Sequence, residues 1–190
     1  MEWTDQEAVE RVRTGDSDAF RVIVERHSRN LFRLAFRMTG NEPDAEDCVQ
    51  ETFLRAYRQI RAFDGRSSLG TWLYCIAANY SRDLIRMRQR RQERIQPPDA
   101  EAGDRIEALP AQGPLPDRVA WSGQIREILG PAMDRLSPLE RSAFVLRHHE
   151  GKRLEEIGAI LGIQPNAAKQ SVFRAVQKLR RALQPAMGVR

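Results

Sequence analysis

The stretch Leu154-Glu-Glu-Ile-Gly-Ala-Ile-Leu-Gly-Ile-Gln-Pro-Asn-Ala-Ala-Lys-Gln-Ser-Val-Phe-Arg-Ala-Val-Gln-Lys-Leu-Arg-Arg181 decides the fold class. Apolar residues fall at Leu154, Ile157, Ile160 and Leu161, and again at Ala168, Val172, Ala175, Val176, Leu179 and Leu183, the three-and-four spacing of helices with one buried stripe. Gly162-Ile163 interrupts the two runs, and Pro165 suits the first turn of a new helix, since its ring fixes φ and it has no N–H to leave unsatisfied. Two short helices joined by a tight turn make a helix-turn-helix, the usual device by which a small helical domain offers side chains to the DNA major groove. Off the stripe lie Lys169, Gln170, Ser171, Phe173 and Arg174 near the N-terminal end, where a groove-inserted helix meets base edges and phosphates. Gln177, Lys178 and Arg181 lie further along, and Gln177 and Arg181 are read as an ordinary solvated face.

Upstream, Ser137-Pro-Leu-Glu140 has the pattern of a capping box, in which Ser accepts from the amide three residues on and Glu reaches back to the Ser N–H. A helix is expected from there to the His148-His149-Glu150-Gly151 stop. Val119, Trp121, Ile125, Ile128, Leu129 and Met133 predict one more, for a C-terminal domain of four helices.

Between Ile95 and Asp117 lie five of the ten prolines and no aromatic residue, the composition of an extended or disordered tether. The expected fold class is therefore all-α, with two small helical domains joined by a flexible linker: residues 1–92, an acidic Pro-rich linker 93–118, and 119–190 with the helix-turn-helix. The chain carries 31 Lys and Arg against 26 Asp and Glu, a positive balance that favours polyanions. The charge is unevenly placed, with six Arg and two acids from Arg82 to Arg94 but six acids and three Arg from Gln92 to Ala120. Neither a membrane span nor a signal peptide is evident, and a cytoplasmic protein is expected. Cys48 and Cys75 stand alone on apolar faces, as reduced core thiols do, and His27, His148 and His149 form no metal pattern, so no cofactor or metal is called for.

In the N-terminal half, Ala45, Cys48, Val49, Thr52, Phe53, Ala56 and Ile60 make a buried stripe. Opposite stand Asp44, Asp47, Gln50, Glu51, Leu54 and Arg55. Acids in a first turn follow from the helix dipole alone. An outward Leu54 among polar neighbours does not, and suggests a protein-docking surface. After a Gly- and Ser-containing turn at 63–68, Leu69, Trp72, Leu73, Ile76, Ala77, Tyr80, Leu84 and Met87 predict the core face of another helix. Its other side carries Asn79, Arg82, Asp83, Arg86, Arg88, Arg90 and Arg91. A cationic helix end is expected from the dipole, but an amide in line with Arg82 and Arg86 suits capture of an unstacked base with its backbone.

These residues resemble the extracytoplasmic-function group of bacterial sigma factors. The match is carried by Asp18-Ala-Phe20, Asp44-Ala-Glu-Asp-Cys-Val-Gln-Glu-Thr-Phe53, Phe63-Asp-Gly-Arg-Ser-Ser-Leu-Gly-Thr-Trp-Leu73 with Ile76-Ala-Ala-Asn79, and the helix-turn-helix through Arg174-Ala175, which together cover nearly the whole chain. The resemblance implies that Asp47, Gln50, Glu51, Leu54 and Arg55 dock on the clamp helices of core RNA polymerase. It implies that Asp64, Arg66, Ser67 and Ser68 line a pocket for a base of the melted −10 promoter element, with Asn79, Arg82, Asp83 and Arg86 along the strand. It further implies that Lys169, Gln170, Ser171, Phe173 and Arg174 read the duplex −35 element. The linker would thread toward the RNA exit path, although a plain tether accounts for its composition equally well. Core polymerase and promoter DNA are the implied partners, and an anti-sigma factor joins them as a candidate.

The chain departs from the family pattern at Asn166-Ala-Ala-Lys-Gln-Ser171, where the family has Gly-Thr-Val-Lys-Ser-Arg. Ala167 and Ser171 lose hydrogen-bonding groups, while Gln170 gains an amide able to pair with adenine. Arg66 stands where an acid is often found. The alternative is a helix-turn-helix regulator acting without polymerase docking, which would need self-association on a palindromic site, and no zipper seam is visible. Catalysis by this chain alone is not expected: Asp44, Glu46 and Asp47 spread around one helix, and no second acidic cluster joins them.

Overall fold

The computed structural model describes residues 3–95 and 123–184, and every regular element in them is helical. The N-terminal lobe consists of α1 (Asp5–Arg13), α2 (Asp18–Thr39), α3 (Glu42–Gln59), a 3-10 turn at Ile60–Ala62 and α4 (Leu69–Ile95). The C-terminal lobe consists of α5 (Gly123–Asp134), α6 (Pro138–His148), α7 (Leu154–Leu161) and α8 (Pro165–Leu183). Of the expected linker, 93–95 continue α4, and the rest lies outside the described residues.

Local chemistry sets the helix boundaries. Thr4 and Glu7 form a capping box at α1, and Asn41 caps α3 by accepting from the Asp44 amide at 2.9 Å. The box expected at Ser137 is formed, with Glu140 N–H donating to Ser137 Oγ at 3.2 Å and Ser137 N–H to Glu140 Oε2 at 2.9 Å. Gly162 ends α7 in the left-handed conformation, φ 66°, and Pro165 opens α8.

The N-terminal core is built where α2, α3 and α4 meet: Ile23, Leu31, Leu34 and Met38 from α2; Ala45, Cys48, Phe53 and Ala56 from α3; Leu69, Leu73, Ala77, Ala78 and Ile85 from α4. Small side chains line the α3–α4 crossing, so the backbones come close enough for Cys48 Sγ to lie 3.5 Å from the Ala77 carbonyl oxygen and 3.2 Å from Ser81 Oγ. The expected stripe on α3 is buried apart from a half-buried Val49. On α4 the expectation needs correction. Met87 is 59% exposed, while Ala78, Ser81 and Ile85 are buried. A hydroxyl satisfied by the Cys48 thiol is admitted to the interior, so the fully buried stripe runs through 77, 81 and 85, with Tyr80 and Leu84 half-buried against the core and Met87 turned outward.

In the C-terminal lobe α8 packs on α5, α6 and α7. Gly158 lies under the turn of the helix-turn-helix, where a Cβ would stand 2.7 Å from the Ile163 carbonyl oxygen. Lys178 on α8 donates to Glu140 at 2.7 Å and ties that helix to the α6 cap. Burial alone would raise the pKa of Glu140, but hydrogen bonds from Lys178 and the Ser137 amide outweigh it and hold the carboxyl below its ordinary value.

Gly158→Ala pushes a methyl group against backbone that cannot rotate away, and a loss of about 1–3 kcal/mol is expected in thermal or denaturant unfolding of the full chain. Because the folded-state pKa of Glu140 is depressed, its stabilisation is complete above the ordinary carboxylate range and fades as pH falls through the folded value. Unfolding measured from neutral to acid pH should show a shallower acid loss for Glu140→Gln than for the native chain.

Candidate nucleic-acid interface

On α8, the second helix of the helix-turn-helix, Lys169, Gln170, Phe173 and Arg174 are all exposed, Phe173 to 63%. They sit on the first half of a helix whose other side is anchored by Ala168, Ala175 and Leu179. Ser171, expected in this set, is not part of it: the residue is buried, and its hydroxyl donates to the Ala167 carbonyl at 2.9 Å. A short side chain on the anchored face reaches its own helix backbone more readily than a groove.

The outer face of α3 presents Asp47, Gln50 and Leu54 to solvent, Leu54 at 51%. Glu51 and Arg55 are half-buried and paired, Arg55 Nε donating to Glu51 Oε1 at 2.7 Å, and the Arg55 guanidinium lies 5.1 Å from the centre of the Tyr80 ring. Asp44 belongs elsewhere, since it caps the start of α3 through Asn41 and pairs with Arg88 of α4. Tyr57, absent from the expected set, is exposed one turn beyond Leu54, and its ring meets Phe20 edge-on with centroids 5.0 Å apart. The signal for it was the i, i+3 step from an already anomalous Leu54.

The turn before α4 holds itself. Asp64 accepts from the Arg66 amide at 3.1 Å and pairs with its guanidinium at 3.0 Å. Ser67 is exposed beside them. Ser68 has a local role, its Oγ accepting from the Thr71 amide at 3.1 Å as the cap of α4. On the helix, Asn79, Asp83 and Arg86 are exposed, with Asp83 and Arg86 paired at 3.6 Å. Arg82 is half-buried: one guanidinium nitrogen donates to Asn79 Oδ1 at 2.6 Å and the other to the Leu161 carbonyl at 3.1 Å, while Nε is buried without an acceptor. The structure thus groups the turn and Asn79–Arg86 along one helix, keeps the α3 face separate, and sets Arg82 of α4 against α7 of the other lobe.

Cys48 and Cys75 are free, and burial raises both thiol pKa values, which keeps them protonated and unreactive. Among the described residues, no group of three potential metal ligands and no helix long and apolar enough to cross a membrane is present.

The family model for Sigma-70 region 2 matches residues 23–91, and that for Sigma-70 region 4 matches 126–179. The ECF RNA polymerase sigma factor SigW of Bacillus subtilis is 32% identical over 192 residues, covering 96% of this chain and 98% of its own length. The chain belongs to the ECF group of RNA polymerase sigma factors. This sigma factor is also 34% identical to the ECF sigma-E factor of Escherichia coli over 189 residues, 96% of this chain and 95% of that one. SigE of Mycolicibacterium smegmatis is 36% identical over 170 residues, 88% of this chain, which spans 63% of that relative's length. Among solved structures it resembles the sigma factor RpoE in complex with the anti-sigma factor NepR from Bartonella quintana, with a TM-score of 0.62 and 25% identity over 87% of this chain and 96% of that one. The fold is also that of CnrH in complex with the cytosolic domain of CnrY, with a TM-score of 0.63 and 23% identity over 95% of this chain and 97% of that one. The protein therefore binds core RNA polymerase and directs promoter-specific initiation, and the reading as a regulator that ignores polymerase is not favoured.

Proposed function

We propose a division of labour among the faces described above. The lobe of residues 1–92 docks on core polymerase through Asp47, Gln50, Glu51, Leu54 and Arg55, with Tyr57 extending the apolar part of the patch. Asp64, Arg66, Ser67 and Ser68 form the −10 base pocket, the last by shaping the turn, while Asn79, Arg82, Asp83 and Arg86 follow the strand. The lobe of residues 119–190 reads the −35 duplex through Lys169, Gln170, Phe173 and Arg174. The observation that carries the docking assignment is Leu54, half exposed among acidic and amide side chains on a helix whose opposite face is fully used in the core. The −35 assignment is supported by four exposed side chains at the N-terminal half of α8, two of them cationic and one an amide suited to adenine.

On this reading the sigma factor works in the cytoplasm beside the polymerase and contributes no catalysis, since bond formation belongs to the enzyme it recruits. An anti-sigma factor is proposed as a further partner, on the likeness to a sigma factor solved with NepR.

Leu54→Ala and Gln50→Arg should each weaken binding to core polymerase by on the order of 1–2 kcal/mol, about tenfold, with unchanged far-UV circular dichroism. A loss of helicity would assign these residues to the fold. In holoenzyme binding to promoter fragments, Lys169→Ala or Arg174→Ala should cost about 1–3 kcal/mol where a base is contacted, and Ser171→Ala should leave −35 dependence unchanged.

A further inference from the structure

Helix α1 packs on α2 and on the 3-10 turn at Ile60–Ala62, and its contacts reach both ends of the segment that carries Asp64, Arg66, Ser67 and Ser68. Upstream of that segment, Arg13, the last residue of α1, directs its guanidinium at backbone: Nε donates to the Ile60 carbonyl at 3.3 Å and Nη2 to the Phe63 carbonyl. Nη1 pairs with Glu10 at 3.2 Å, so all three nitrogens are used. Ile60 stands at the C-terminal end of α3, where carbonyl oxygens lack helical partners and a cation is favourable. Phe63 is the last residue before the turn, and its ring centroid lies 5.1 Å from that of Trp72 on α4. Downstream, His27 of α2 donates from Nε2 to Asp5, the first residue of α1, at 3.0 Å, and Arg26 pairs with the same carboxylate. The His27 ring lies against Gly70, where a Cβ would stand 3.5 Å from its Cε1. Asp5 and Arg13 are separated by about 12 Å along the helix, at about 1.5 Å per residue. Between the two anchored ends, residues 64–68 are exposed, and the hydrogen bonds of Asp64, Arg66 and Ser68 described above stay within the turn and the start of α4. A segment bonded in that way takes its direction from the points where it enters and leaves.

We propose that α1 positions the −10 pocket, with Arg13 as the positioning residue upstream and the Asp5–His27 pair as its counterpart beside Gly70. The inference rests on the assignment of Asp64, Arg66, Ser67 and Ser68 to the −10 base pocket made above. None of Arg13, Asp5 and His27 touches DNA in this role; they fix where the pocket side chains leave the backbone. Reading a base edge demands placement to within about 0.5 Å, whereas phosphate contacts carry no sequence information. Losing the bracket therefore blurs the choice of base before it weakens the grip on nucleic acid in general. The fork of a guanidinium suits two carbonyls three residues apart, while a lysine ammonium keeps the charge as a single point on a flexible stem.

The test uses the full chain and its holoenzyme. In the free chain, hydrogen exchange is followed at the Phe63, Arg66, Thr71 and Trp72 amides, each of which is hydrogen-bonded within this segment. Arg13→Met, which keeps the stem and removes every donor, should accelerate them about fivefold or more, and Arg13→Lys less, with exchange in α8 unchanged. Holoenzyme is then allowed to select from a promoter library randomised across the −10 element. The native chain should favour one base at the pocket position by about fivefold or more, the effect of a single mismatch. Arg13→Met should flatten that preference and Arg13→Lys should keep part of it, while affinity for core polymerase and the −35 preference stay native. Unchanged exchange in Arg13→Met would overturn the bracket. Faster exchange with a native −10 preference would overturn the positioning role, and so would a loss of core affinity or −35 preference of the same size, which would assign Arg13 to the fold as a whole. If Asp64→Ala and Arg66→Ala both keep the native −10 preference, the pocket assignment falls and the positioning role with it, leaving the exchange result to stand.

Discussion

Helix α4 is asked to serve three environments at once, and the rest of the structure follows from how its faces are divided. One face is buried against α2 and α3 through Leu73, Ala77, Ala78, Ser81 and Ile85. A second meets α6 and α7 of the other lobe. What remains, Asn79, Asp83, Arg86 and the turn before the helix, is exposed, and it is the surface that the proposed function gives to nucleic acid. Because a residue points in one direction only, the close α3–α4 crossing made possible by alanines, Cys48 and Ser81 fixes the aim of this exposed row.

The two surfaces of the first lobe differ in physical character. The face of α3 carries an apolar side chain in a polar setting, suited to losing its water against another protein. The α4 row carries cations and an amide, suited to phosphates and base edges. On the proposed function, separating them would let one small lobe hold the polymerase and a melted strand together without either partner covering the other's contacts.

Interlobe contact adds a conformational layer. Exposed ion pairs contribute little, but Glu150 is largely withdrawn from water and both its oxygens are used, so its partners set one geometry between the lobes instead of merely adding attraction.

Much of this was determined by the sequence alone. The helix-turn-helix, the Ser137 capping box and the buried stripe of α3 depend on neighbours three or four residues apart, and such local rules are written in the chain. Thr4 and Glu7 carry the same local signal at α1. The exposed Leu54 was legible because it broke its own helix's pattern. Tertiary structure alone decided the rest. That Ser81 is core and Met87 surface depends on a thiol 33 positions away, that Ser171 is turned from the groove depends on how α8 is seated, and that Glu150 joins Arg37 and Tyr74 depends on one lobe meeting the other. Periodicity marks the buried side of a helix but carries no information about which distant surface will bury it.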